Sequence, residues 1–264
     1  VEALWPALVE AGERIRRVAA SNDWQVETKS DQSPVTRADR ESEAVILEAL
    51  ARLTPTIPVL SEEQESVPPE QRSGWSRFWC LDPLDGTKEF LHRTGEYAIN
   101  LALIESRYPV FGIIFQPATG QAWFGGENLG AWLIDASGAR RVIRARAAGE
   151  EVVSLGSRFH AGIEAEVVGR VWGARARHMV VGSSLKFCRL ACGEADVYLR
   201  GRPTCEWDTA AGQAILEGAG GCVFGLDGHR LAYNKADLRN PGFLALGHGG
   251  RWDPAFSAVL ASRI

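Results

Sequence analysis

The sequence predicts an α/β fold of the α+β kind, with an antiparallel sheet in its first half and a smaller mixed α/β second half. Three observations carry this. Five strand-like runs follow one another between Arg77 and Ile134, and their short separators bear glycine or proline, as in a meander. From about Glu150 strand-like and helix-like runs alternate instead. A length of 264 residues with 45% hydrophobic content suits two small subdomains sharing a core, divided here as 1–149 and 150–264.

Taken in order, Ala3, Leu4, Ala7, Leu8, Ala11, Ile15, Val18 and Ala19 recur at helical spacing and predict an amphipathic N-terminal helix. A second helix is expected after Thr36, an N-cap residue with Asp39 in the capping-box position. Val45, Ile46, Ala49, Leu50 and Leu53 would form its apolar face. The Pro-rich, polar segment Val67 to Gly74 reads as an exposed loop. The meander strands are expected at Arg77–Leu81, Tyr97–Ile104, Val110–Phe115, Ala122–Phe124 and Ala131–Ile134. In the second half, strands are expected at Val152–Leu155, Met179–Val181, Val197–Leu199, Cys222–Phe224 and Phe243–Leu246. Helices are expected at Glu164–Trp172, Ser184–Cys192 and Thr209–Gly218.

A net charge of -4 and a pI near 5.8 leave no basic footprint for a nucleic-acid duplex. A phosphorylated ligand would need a local positive patch, for which Lys186, Arg189 and Arg200 are candidates. The five cysteines form an odd set, and Cys188 and Cys192 have no partner at zinc-site spacing, which favours buried thiols in a reducing compartment. No secretory leader and no transmembrane segment are expected, since no apolar run approaches the length of a span.

The most informative stretch is Trp79-Cys80-Leu81-Asp82-Pro83-Leu84-Asp85-Gly86-Thr87-Lys88-Glu89-Phe90. Two carboxylates three apart would point to opposite faces of a plain strand. Pro83 is expected to stop the ladder and set a turn that swings Asp85 to the side of Asp82, with Gly86 and Thr87 offering backbone N–H groups there. Clustered carboxylates repel unless a cation neutralises them, and hard cations such as Mg²⁺ take carboxylate and phosphate oxygens. Ser61-Glu62-Glu63 adds carboxylates at another strand end, and Asp208 heads a small-residue helix. The pattern points to a metal-dependent phosphate site, the alternative being a surface Asx turn that closes the strand, and a site with ligands from both halves would lie in the cleft between them.

The Trp79–Phe90 and Trp207–Gly221 segments resemble the two signatures of the inositol monophosphatase superfamily of lithium-sensitive, Mg²⁺-dependent phosphatases. Ser33-Pro34-Val35-Thr36, Leu60-Ser61-Glu62-Glu63, Gly86-Thr87-Lys88-Glu89-Phe90 and Gly182-Ser183-Ser184-Leu185-Lys186-Phe187-Cys188 are most similar to its bacterial CysQ branch of 3′(2′),5′-bisphosphate nucleotidases. The resemblance covers roughly Ser33 to Phe243 and implies a layered α-β-α-β-α sandwich.

It further implies that Glu62, Asp82, Asp85 and Asp208 bind two or three Mg²⁺ ions, with Mn²⁺ as a substitute, and that Leu84 adds its carbonyl. Thr87 would hold the attacking water with Asp39, and Glu62 would share in catalysis. Gly86, Thr87, Ser183, Lys186, Arg200, Asp208 and His160 would contact substrate, and Glu63, outside the metal set, would stand behind the ligands or face solvent. The implied substrate is adenosine 3′,5′-bisphosphate, with 3′-phosphoadenosine 5′-phosphosulfate a further one. Alternatives are an inositol or sugar-phosphate monoesterase, against which Glu89 speaks, and a non-catalytic nucleotide-binding protein. The expected setting is the cytoplasm or the cytoplasmic face of the inner membrane, as a monomer or homodimer.

Overall fold

A computed structural model describes residues 1–21, 23–29, 32–64, 67–159 and 164–251. The chain opens with α1 (Trp5–Ser21), a hairpin of β1 (Glu27–Thr28) and β2 (Pro34–Val35), α2 (Arg37–Leu53), β3 (Val59–Ser61) and α3 (Pro69–Arg72). The meander follows as β4 (Arg77–Asp85), a short α4 (Thr87–Leu91), β5 (Ala98–Glu105), β6 (Tyr108–Gln116), β7 (Gln121–Gly126), β8 (Gly130–Ile134) and β9 (Arg140–Ile143). The second half runs β10 (Val152–Gly156), α5 (Glu164–Trp172), β11 (Ala176–Val180), α6 (Leu185–Ala191), β12 (Val197–Arg200), β13 (Thr204–Cys205) and α7 (Glu206–Gly218). It closes with β14 (Cys222–Gly225), β15 (Arg239–Asn240) and β16 (Phe243–Leu246).

Strands β3 to β9 form a seven-stranded sheet in sequence order, antiparallel except for the β3–β4 pair. A five-stranded sheet has the order β11-β10-β12-β16-β14, parallel around β10 and antiparallel around β16. Alternation along the strands sets the layers, because successive side chains point to opposite faces. Leu101 and Ile113 pack with Leu8, Ile15, Ile46 and Leu50 of α1 and α2 on one face of the large sheet. Ala102 and Ile114 face the other way, onto Phe187 of α6 and Ala211 and Ile215 of α7. Val153, Leu155 and Ala245 approach these helices from the small sheet. Val152, Val197 and Leu244 lie on its far face under Val167 and Val168 of α5. The result is the five-layered α-β-α-β-α order, and each fully buried Leu, Ile or Phe adds about 1.5–3 kcal/mol of transfer free energy.

Helix α7 lies close against β6: a Cβ built on Gly112 would stand 2.5 Å from the Ala211 carbonyl oxygen. Glycine at 112 therefore permits the approach of the helix that carries Asp208. Four expectations are corrected. Residues 69–72 are helical, with Pro69 in the first turn, and the buried Arg72 holds Asn234, Lys235 and Ala236 rather than solvent. Leu53 is exposed, so the apolar stripe of α2 ends at Leu50. Pro83 does not stop its strand, since β4 continues to Asp85 through a bulge. Helix α7 begins at Glu206, three residues ahead of Thr209.

Candidate active site

The bulge brings the carboxylates together. Asp82 pairs with Asn100 and Asp85 with Ala98, so a four-residue span on β4 faces three residues on β5. Asn100 and Ala98 are two apart and share a face, so Asp82 and Asp85 do as well. The Asp82 carboxylate accepts the Leu84 N–H at 3.0 Å, which shapes the bulge from within. Gly86 then takes the left-handed φ of 91° that turns the strand into α4, placing Thr87 as its first residue.

Glu62 follows β3, which runs parallel to β4, and its N–H donates to the Leu81 carbonyl at 3.2 Å. Asp208 is the third residue of α7 and accepts the Cys205 N–H at 2.7 Å. Oxygens of Glu62, Asp82 and Asp208 all lie within 4.8 Å of one another. Among the described residues no ion pair reaches Asp82, Asp85 or Asp208. Burial, reinforced by the neighbouring carboxylates, pushes Asp82 and Asp208 well above the ordinary aspartate range. Burial likewise raises Glu62 to about 7 against the opposing charge of Lys29.

Asp39 caps α2 with one oxygen, which accepts the Thr36 N–H at 2.8 Å and the Thr36 hydroxyl at 2.6 Å. Its other oxygen lies 3.4 Å from the Thr87 hydroxyl, which is also 3.4 Å from the Leu84 carbonyl. Asp39 is buried, and that burial raises it to about 6.

A cavity of about 490 Å³ joins these groups to the second half. Its walls include Glu62, Asp82, Leu84, Asp85, Gly86, Thr87, Ser183, Lys186, Arg200 and Asp208. Lys186 is buried, not a surface charge: its ammonium donates to the carbonyls of Val181 at 3.1 Å and Ser183 at 2.5 Å, and it lies over the Tyr198 ring. Burial lowers its pKa to about 8. Arg200 is 8% exposed, and its Nε has no partner among the described residues. Arg189 instead pairs with Glu194 on the surface, and Trp207, partly buried, packs against the core. His160 lies outside the described residues.

Three nearby residues carried no assigned role in the sequence reading. Lys29, beside the β1–β2 hairpin, bridges Glu62 at 2.8 Å and Glu63 at 2.6 Å. Asn100 and Ser184 are buried and joined by a 2.7 Å hydrogen bond. A lysine close before Ser33-Pro34 is the one local signal for the first. The other two depend on contacts across the fold.

Fold and site together define a phosphatase scaffold, and the chain belongs to the inositol monophosphatase family, whose profile matches residues 2–252. The 3′(2′),5′-bisphosphate nucleotidase CysQ of Salmonella typhimurium (strain LT2) is 43% identical over 237 residues, covering 88% of this chain and 94% of that protein. Its counterpart in Escherichia coli (strain K12) is 41% identical over the same shares. Among solved structures, CysQ from Bacteroides thetaiotaomicron matches with a TM-score of 0.83 at 35% identity, covering 94% of this chain and 97% of that one. The Thermotoga maritima IMPase shares the fold, with a TM-score of 0.77 at 24% identity and coverage of 97% and 94%. The resemblance read from the sequence and the layered fold it implies are borne out. No helix among the described residues is long and apolar enough to cross a membrane.

Proposed function

We propose that the chain is a divalent-cation-dependent phosphatase that hydrolyses the 3′-phosphate of adenosine 3′,5′-bisphosphate to give AMP and phosphate. The observation that carries this is one cavity holding a carboxylate cluster and, opposite it, the buried cations Lys186 and Arg200. The substrate class follows the names of the bacterial relatives. The cleft lies between the 1–149 and 150–264 halves, which we read as subdomains. The buried thiols Cys80 and Cys188, which are in no disulfide, are in keeping with a reducing, cytoplasmic setting.

The donor set fits a hard cation, because its oxygens converge without protein countercharge at Asp82 and Asp208. Glu62, Asp82, Asp85, Asp208 and the Leu84 carbonyl would hold Mg²⁺ ions, with Mn²⁺ as a substitute. When bound, such ions supply Lewis-acid stabilisation of phosphoryl oxygens and acidify water. Thr87 and Asp39 orient the attacking water, and Asp39 is predominantly ionised above its raised pKa of about 6 and can accept a proton. Water adds to phosphorus, the P–O3′ bond breaks, and the ribose oxygen takes a proton. Arg200, with Lys186 and Ser183, binds the phosphate that stays.

A phosphate-release panel tests the reading. Adenosine 3′,5′-bisphosphate should be the best substrate, ahead of its sulfated 5′ analogue and inositol 1-phosphate. Preference for inositol 1-phosphate would replace the nucleotidase with the monoesterase.

Two further outcomes follow from the electrostatics. Saturating Mg²⁺ at a hundredfold its Kd should add about 2.7 kcal/mol, raising Tm by roughly 5–10 °C over chelated protein. Because folding raises the pKa values of Asp82, Asp208 and Glu62, the folded state binds more protons than the unfolded chain above about pH 4. Chelated protein should therefore lose stability as pH rises from 4 through neutrality, and Mg²⁺ should flatten that slope. Calorimetry at several pH values checks both.

Asp39→Asn separates cap from catalysis. The amide can keep an acceptor for the Thr36 N–H and removes a buried charge, so stability should change by no more than about 1 kcal/mol. kcat should fall by about 10²–10⁴-fold if Asp39 receives the proton. A rate loss no larger than the stability change explains would leave Asp39 a cap alone.

A further inference from the structure

We propose that Ser184, held by Asn100, is a positioning residue that fixes the Asp85 carboxylate for cation binding. The inference rests on the metal site proposed above. Ser184 lies within one of the segments that carry the family resemblance, but neither it nor Asn100 has a role assigned there.

The Ser184 backbone N–H donates to Asp85 Oδ2, reaching from the second half of the chain to the bulged end of β4. Its hydroxyl donates to Asn100 Oδ1 at 2.7 Å, on the strand that pairs with β4. Ser184 and Asn100 are 4% and 1% exposed, so water does not compete for this bond. Chain geometry alone would not hold Ser184 there. The preceding Ser183 has a φ of 49°, a left-handed conformation that disfavours a residue with a Cβ. That turn is braced by the Gly182 N–H on Glu96 at 2.9 Å and by the Lys186 ammonium on the Ser183 carbonyl at 2.5 Å.

Asn100 is the second, independent pointer. It sits inside a sheet among Ala98, Ile99, Leu101 and Ala102, all fully buried, where an apolar residue would fit. Its Nδ2 has no partner among the described residues, a costly arrangement for a buried amide. Its oxygen is committed to Ser184, so what Asn100 secures is the place of Ser184. The chain Asn100–Ser184–Asp85 ties one carboxylate oxygen of a residue that lines the cavity beside the Glu62, Asp82 and Asp208 cluster. Outer partners of this kind typically change metal affinity 10- to 100-fold when removed.

The test is a calorimetric Mg²⁺ titration of the substrate-free full chain, compared across S184A, S184T, N100A and the double variant S184A/N100A. Ser154→Ala is the control for loss of a buried hydroxyl, since Ser154 bonds His178 in the small sheet. S184A and N100A should each weaken Mg²⁺ by about 10- to 100-fold. S184T should retain wild-type affinity, and S154A should leave it unchanged. The double variant should be no weaker than the weaker single, because Asn100 acts through Ser184. If S184A fails to fold, N100A keeps the Ser184 backbone amide and reads the same effect. Unchanged Mg²⁺ affinity in N100A and S184A, or losses that add in the double variant, would overturn the inference. Wild-type protein that binds no Mg²⁺ would overturn the metal site and this inference with it. Normal wild-type binding with indifferent variants would remove only this inference.

Discussion

Asp85→Asn should leave the fold standing and lower kcat by about 10²–10³-fold, equivalent to ~3–4 kcal/mol of barrier. The amide is nearly isosteric and can still accept the Ser184 N–H, so the bulge and the α4 turn keep their supports. What disappears is a negative charge on the cleft face shared with Asp82. That charge would hold a cation where the leaving oxygen develops its own charge. Steady-state kinetics at saturating Mg²⁺, with Tm measured alongside, decide the matter. A loss below about tenfold, ~1.4 kcal/mol, would mean that Asp85 only closes the turn.

The second large effect separates substrates. Arg200→Met keeps most of the buried stem and removes the guanidinium, whose Nε has no protein partner among the described residues. A charge-assisted hydrogen bond to the retained 5′-phosphate is worth roughly 1.5–3 kcal/mol. kcat/KM for adenosine 3′,5′-bisphosphate should thus fall about 10- to 150-fold, while adenosine 3′-monophosphate is cleaved nearly as before. Lys186→Ala is the less selective probe, because the lysine also holds the Val181 and Ser183 carbonyls. Its removal should reduce use of both substrates. Equal losses for the two substrates in Arg200→Met would overturn the nucleotidase reading and favour the monoesterase.

Much of this was legible in the chain because it depends on local pattern. The meander from β4 to β8 shows as apolar runs with turn residues between, and the Thr36–Asp39 capping box shows as a spacing. The carboxylates at Glu62, Asp82, Asp85 and Asp208 stand at element ends, and the cavity collects them. The strand ending at Ser61 is legible, but its parallel pairing with β4 is not, since three residues carry too little periodicity to state a direction. Arg72 reads from sequence as part of a loop because its partners lie 162 to 164 residues away. The same reason hides Asn100 and Ser184, whose bond spans 84 positions. Lys186 has the residue type of a surface charge, and only the packing of α6 shows that it is inside.

The bulge makes the site a question of parity. Asp82 and Asp85 are an odd number apart, so one extra residue must be absorbed between them for both to reach the cleft. Deleting Pro83 would let β4 and β5 zip without interruption, with Trp79 to Asp82 still in their present pairs. The shortened spacing would be even, and the second carboxylate would stay on the cleft face opposite Ala98 with no bulge needed. Adding one residue while the bulge stays as it is would instead set that carboxylate opposite Tyr97, on the face of the α1–α2 layer. What the cluster requires is that the spacing, less the residues absorbed in the bulge, stays even. The odd count between these aspartates is therefore a mark of the fold that can be read without coordinates.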